Sequence, residues 1–363
     1  MARKRILEGV KSEPEAKKAR SVNRGDASFL DKWVHLISKG CNLAIFSQFF
    51  RKIGSFLPFS GNLWGARASS APSLKAPLSV NELNHSPLTL AMAAQNYELI
   101  KELLDKGANP NEPGFKGHPH IHMATLMDNK KILKLLLDNG ANVDSTNSSQ
   151  NTALHIASIE NDIQTLTVLL DHGATIDKSD VRGLTPLQIA VYLGHLNVVQ
   201  KLLEYNADPN IPYVHGTCPL HLAALRGQLA VVRKLLEFGA NVNMKKSDGK
   251  TLLHLLVQAA NSQEDFDILL ELLKHGVDIN VQDSLGQTAL HKAVLSFSEV
   301  NNVECVRIVA RLLEEPIDLN LRDADGKTAL EIALDEKCID ITKMMVFGSF
   351  PIYSVSNFLL ITL

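Results

Sequence analysis

The stretch TCPLHLAALRGQLAVVRKLLEFGANVN, Thr217 to Asn243, decides how the whole chain is read. Cys218 stands where a helix opens, and Pro219 takes the first helical position, where its missing N–H costs nothing. A short apolar run, Leu220-His221-Leu222-Ala223-Ala224, predicts one helix. After Gly227 comes Val231-Val232-Arg233-Lys234-Leu235-Leu236, whose apolar residues recur at helical spacing and predict a second, amphipathic helix. Gly239 then supplies a left-handed helix end.

The same unit recurs along the chain. Equivalent opening positions fall at Ser86, Pro119, Thr152, Thr185, Cys218, Thr251, Thr288 and Thr328. The first six are 33 residues apart, and the last two steps are 37 and 40. Most openings are Ser or Thr, the residues that cap a helix N-terminus, and Thr185-Pro186-Leu187 and Ser86-Pro87-Leu88 carry the full signal. The terminating glycine recurs as Gly107, Gly140, Gly173 and Gly276; in the fourth unit Asn206 replaces it, the residue that best tolerates the same backbone. A hairpin-like loop such as Asp283-Ser284-Leu285-Gly286 leads into the next unit. The extra residues of the sixth unit (near 261–266) and the seventh (near 297–303) are expected to lengthen the turn between the two helices.

This pattern, Thr-Pro-Leu-His-x-Ala at a 33-residue period, resembles the ankyrin repeat over residues 82–346. The resemblance implies an all-α solenoid of eight units, each a β-turn and two antiparallel helices, with hairpins projecting from one edge. It also implies that His122, His155, His221, His254 and His291 are structural, and that partners bind at hairpin tips and on the inner, concave face of the first helices. Transferred by register, those positions are Phe115, Lys116 and Met127; Ile159 and Glu160; Val181, Arg182 and Tyr192; Tyr213, His215, Leu225 and Arg226; and Lys245, Lys246 and Asp248. Tyr and Arg among them are residue types enriched at binding hot spots.

The flanks read differently. Residues 1–28 form a basic tail, expected to be disordered: residues 1–25 carry eight Lys/Arg against three Asp/Glu, on a chain of net charge −2. Lys4-Arg5 and Lys17-Lys18-Ala19-Arg20 resemble a bipartite nuclear import signal, which would engage an import receptor and place the protein in nucleus and cytoplasm. Residues 29–64 are aromatic and amphipathic, expected as a helical cap on the first repeat. Residues 65–81 read as a linker and 347–363 as a hydrophobic tail. Gly348, Pro351, Asn357 and three serines argue against a membrane span there.

No chemistry converges. The chain has no phosphate loop, no G-x-S-x-G and no H-E-x-x-H, and its four cysteines lack C-x-x-C spacing. The start, with no apolar h-region, shows no secretory signal. Hairpin carboxylates Asp180, Asp248, Asp283 and Asp325 are spread one per unit instead of meeting at one atom. The His118/His120/His122 run is read as structural, not as a metal site. The acidic body argues against specific nucleic-acid binding. The expectation is a non-catalytic adaptor with no cofactor and no metal, regulating transcription factors in the manner of inhibitor-of-NF-κB-like proteins. The alternatives are a substrate receptor of a ubiquitin ligase or a membrane-cortex scaffold.

Overall fold

The structure, a computed structural model, describes residues 86–347 apart from 115–116, 260–261 and 301–302. The import clusters (Lys4, Arg5, Lys17, Lys18, Arg20), segments 1–28, 29–64 and 65–81, residues 348–363 and the hairpin residues Phe115 and Lys116 lie outside the described residues. The chain divides between Arg182 and Gly183 into two compact units.

The first unit holds three helix pairs: α1 (Pro87–Ala93) with α2 (Tyr97–Asp105), α3 (His120–Leu126) with α4 (Lys130–Asp138), and α5 (Ala153–Ile159) with α6 (Ile163–Asp171). The second holds five: α7 (Pro186–Leu193) with α8 (Leu196–Glu204), α9 (Pro219–Leu225) with α10 (Leu229–Glu237), α11 (Leu252–Ala259) with α12 (Gln263–Lys274), α13 (Ala289–Val300) with α14 (Val303–Leu312), and α15 (Ala329–Asp335) with α16 (Ile339–Phe347). Every described element but one short 3-10 turn, Val214–Gly216, is an α-helix. Within each unit, first helices pack on first helices and second on second, so a single apolar layer runs between the two rows. A helix of seven residues cannot hold itself together in water; burial against its neighbours does that. The nearly complete burial of Leu154, Ile156, Leu166 and Leu169 in the first unit, and of Leu220, Val232 and Leu235 in the second, supplies the stabilisation, about 1.5–3 kcal/mol per side chain.

Each first helix starts one residue after the opening position read from the sequence, because that residue is the cap. Ser86, Thr152, Thr185 and Thr328 accept the N–H three residues on. Several caps are reciprocal, and in the third, sixth and seventh repeats the partner is the histidine. The N–H of Thr152, Thr251 and Thr288 donates to Nδ1 of His155, His254 and His291 at 3.1–3.2 Å. With Nδ1 accepting, Nε2 carries the proton, and it donates to the next hairpin: His254 to the Gln287 carbonyl at 2.9 Å and His291 to that of Lys327 at 3.2 Å. In the fourth repeat Gln188 makes the same two contacts, to Thr185 N–H (3.0 Å) and the Ile211 carbonyl (2.8 Å). The second repeat breaks the pattern. Pro119 has neither hydroxyl nor N–H, which leaves Nδ1 of His122 buried without a partner.

The left-handed end is present where the sequence placed it: Asn206 has φ 66°, beside 84° at Gly239. The insertions depart from expectation. In the sixth repeat α12 has 12 residues against 9 in α10, and α11 has 8 against 7 in α9. In the seventh repeat α13 grows to 12 residues. Added residues therefore extend helices, since Gln263–Asp267 and Phe297–Val300 contain neither Gly nor Pro to stop one.

Candidate partner-binding surface

Hairpin tips are tied into a ladder. Val181 N–H donates to the Ser149 carbonyl in the first unit (3.0 Å); in the second, Ser247, Ser284 and Ala324 N–H donate to the carbonyls of His215, Asp248 and Leu285 (2.9–3.1 Å). Tip geometry rests on an acid three residues before a left-handed glycine. Asp283 Oδ1 accepts from Leu285 and Gln287 N–H, and Asp323 Oδ1 from Asp325 and Lys327 N–H. Gly286 is obligatory there: φ is 68°, and a Cβ would lie 3.1 Å from the backbone of Ala324 in the next tip. Of the hairpin carboxylates, Asp180 and Asp283 are buried turn-formers, while Asp325 is exposed. A second set of rungs, not anticipated from the sequence, comes from asparagines. Asn111 and Asn210 each donate to a glycine carbonyl of the next repeat (Gly140 and Gly239) and accept from an adjacent N–H at 2.7 Å.

In the first unit, Met127, Ile159 and Glu160 sit at the ends of α3 and α5, all half-buried. Glu160 lines an open groove of about 370 Å³ together with Asp128, Lys130, Asn161 and Asp162, where Lys130 reaches Asp162 at 3.1 Å. Val181 is well exposed at its tip. The exposed Arg182 is committed to its own hairpin, with Nε and a terminal nitrogen donating to Asp180 Oδ2 at 3.0 and 2.9 Å.

In the second unit, Tyr192 at the end of α7 is 38% exposed, and the Arg226 guanidinium stacks on its ring at 4.4 Å. Tyr213 is half-buried at the base of the next tip; His215 (φ 58°) and Lys245 are exposed, Lys246 and Asp248 half-buried. Asp248 pairs with Lys250 at 3.2 Å. Burial alone would raise its pKa; the Lys250 bonds and the Lys246 charge overcome this and hold it below the usual carboxylate range. Leu225 corrects the sequence reading: only 7% exposed, it clusters with Leu255 and Ala259 of the next repeat and belongs to the core, not to the surface.

The remaining polar groups are structural in their contacts. His120 meets Thr89 Oγ1 at 2.8 Å and the Pro110 carbonyl at 3.1 Å, and His122 Nε2 donates to the Ser145 carbonyl at 2.9 Å. Burial pushes His122 and His221 down to about 4, helped at His221 by the Lys246 charge. Cys218, Cys305 and Cys338 are buried and reduced; burial pushes the Cys305 thiol up to about 12, so it stays neutral. Among the described residues no cluster of His, Cys, Asp or Glu has the geometry of a metal site, and no helix is long and apolar enough to cross a membrane.

Ankyrin repeats (3 copies) match residues 70–147, 121–213 and 256–351, and ankyrin repeats (many copies) match 215–256. The chain belongs to the ankyrin repeat family. Among solved structures, this ankyrin protein is similar to the ankyrin repeat domain of Bcl-3, described as a unique member of the IkappaB protein family. That likeness has 26% identity, 57% of this chain, 93% of that one and a TM-score of 0.52. It is also similar to an ankyrin repeat domain from Acinetobacter baumannii AYE, with 28% identity, 54% and 96% coverage and a TM-score of 0.49. No curated protein sequence matches it. Ankyrin repeats are protein–protein interaction modules, generally non-catalytic, and the eighth repeat here keeps Leu334, Ile339, Val346 and Phe347 exposed.

Proposed function

We propose that this ankyrin protein is a non-catalytic adaptor that holds protein partners on hairpin tips and inner-helix ends and acts partly in the nucleus, on regulators of transcription. The observation that carries this reading is the likeness to the Bcl-3 domain, a member of the IkappaB family, at 26% identity over 93% of that domain. The basic clusters Lys4-Arg5 and Lys17-Lys18-Ala19-Arg20 supply an import receptor with two binding points. On the surface itself, Tyr192 and Tyr213 offer rigid, amphipathic contact area without being needed to fill the core.

The test is mass spectrometry of proteins that co-purify with the tagged full-length chain, beside a Tyr192→Ala/Tyr213→Ala variant and a Lys17→Ala/Lys18→Ala/Arg20→Ala variant. Nuclear regulators are expected with the wild type. They should fall at least about tenfold with the tyrosine variant, which corresponds to 1.4 kcal/mol, while the helical circular-dichroism signal is kept. The basic-cluster variant is expected to move toward the cytoplasm. Recovery of cullin and elongin-type subunits would replace this reading with that of a ubiquitin-ligase substrate receptor, and pelleting with membranes would favour the cortex scaffold.

A further inference from the structure

Charge is distributed unevenly along the second unit. Residues 183–259 carry seven Lys/Arg against four Asp/Glu, whereas residues 263–347 carry eight against seventeen. The four acids of the first stretch are already engaged. Glu204 pairs with Lys201 at 3.2 Å and Glu237 with Lys234 at 2.7 Å, both on second helices. Asp248 pairs with Lys250, and Asp208 accepts the Asn210 N–H at 2.8 Å.

Three cations on the other side have no carboxylate within ion-pair distance among the described residues: Arg226, Lys245 and Lys246, the last acting on Asp248 only through its charge. The exposed Arg226 holds its guanidinium over the Tyr192 ring, 4.4 Å from the centroid, a cation–π contact that uses the ring face and leaves the guanidinium N–H groups to meet a carboxylate. Lys245 and Lys246 stand at the hairpin tip, with the Lys246 backbone 3.1 Å from where a Cβ on Gly216 would lie, so the tip carrying His215 adjoins them. Beside each cationic point lies an exposed apolar side chain: Leu193 (41%) next to Tyr192, and Val214 (47%) next to His215. The two points lie at opposite ends of the first helices. α7 has eight residues, which at 1.5 Å per residue is about 12 Å, the reach of roughly four residues of extended chain.

We propose that the hairpin tips and inner-helix ends of the fourth and fifth repeats bind an extended acidic segment of a partner protein, with apolar residues interspersed among its Asp and Glu. The assignment rests on the adaptor reading and specifies its partner. Carboxylates about four residues apart would meet Arg226 at one end and Lys245/Lys246 at the other, while apolar side chains between them cover Leu193 and Val214. The acidic repeats that follow would repel the same segment and so confine it to this stretch.

The experiment uses the full chain and a fluorescein-labelled peptide repeating Asp-Glu-Leu-Glu, about twelve residues long to span the face, followed by fluorescence anisotropy. Two variants carry the same charge change: Arg226→Glu/Lys245→Glu on this face, and Lys201→Glu/Lys234→Glu on the second helices. The expected result is binding to the wild type and the outer variant, and a loss of roughly tenfold or more for the inner variant, with circular dichroism unchanged in all three. Equal weakening in both variants would overturn the proposal, because only the overall field would be at work. So would a labelled oligothymidylate that binds as tightly as the peptide, since any polyanion would then serve. If the acidic peptide does not bind while Tyr192→Ala/Tyr213→Ala still strips co-purifying proteins, the partner class is wrong and the adaptor reading stands. If the tyrosine variant strips nothing, it is the adaptor reading that fails.

Discussion

Asp283→Ala is expected to destabilise the second unit by about 3–5 kcal/mol, the cost of breaking one side of a buried ion pair. Lys292 occupies a slot that is apolar in the neighbouring repeats, where Ile189, Leu222, Leu255 and Ile332 stand, and it is only 5% exposed. Its ammonium lies 2.9 Å from Asp283 Oδ2 and also donates to Gln287 Oε1. Burial by itself would raise the Asp283 pKa; the Lys292 bond and the N–H groups of Gln287 and Leu285 outweigh that and hold it low. Removing the carboxylate strands a buried ammonium and deletes two turn hydrogen bonds together. The double change Asp283→Asn/Lys292→Met keeps an acceptor for the turn and an unbranched chain for the slot, and is expected within about 1 kcal/mol of wild type or above it. Urea titrations of wild type, both single variants and the double variant decide the matter. A cost below about 1 kcal/mol for Asp283→Ala would mean that the pair is solvated.

Acid is expected to weaken the stack through its histidines. His122 and His221 titrate at about 4 in the fold against 6.5 unfolded, because burial disfavours the imidazolium. The unfolded chain therefore binds protons first as pH falls. The contribution is fully present above about 6.5 and is lost progressively toward 4, amounting to about 2 kcal/mol per histidine between pH 7 and pH 5. His120, His254 and His291 are lowered for the same reason and add in the same direction. Nature supplies the control in Gln188, which makes the histidine's contacts without titrating. His221→Gln should thus flatten the loss between pH 7 and pH 5 by about 2 kcal/mol in thermal or urea melts. An unchanged pH dependence would show that the histidine is not what acid attacks.

The repeat frame was legible because its signals are local. A cap residue, a proline at the first helical position and a left-handed glycine or asparagine each act within one turn of chain, and the helices begin one residue past the positions read from them. What was not legible depends on neighbours. Leu225 resembles a surface position in its own repeat and is buried only because Leu255 and Ala259 of the next repeat cover it. The burial of Lys292, 5% exposed, depends on Asp283, nine residues earlier, being folded against it. Asp180 and Asp283 could be placed in hairpins from the sequence, but their burial follows only from the hairpins closing around them. The sixth-repeat insertion read as a longer turn, yet Ser262 caps α12 through the Asp265 N–H and the helix after it is lengthened.

The central claim is that partners dock on hairpin tips and inner-helix ends and leave the second-helix row free. Lysine-directed cross-linking of the purified full-length chain with its co-purified proteins, followed by mass spectrometry, tests this most directly. Intermolecular links are predicted at Lys245 and Lys246, which stand on the hairpin edge. Lys201 and Lys234, paired on the second helices, should be linked rarely. Links confined to Lys201 and Lys234, with none at Lys245 or Lys246, would place the partner on the opposite face and contradict the account.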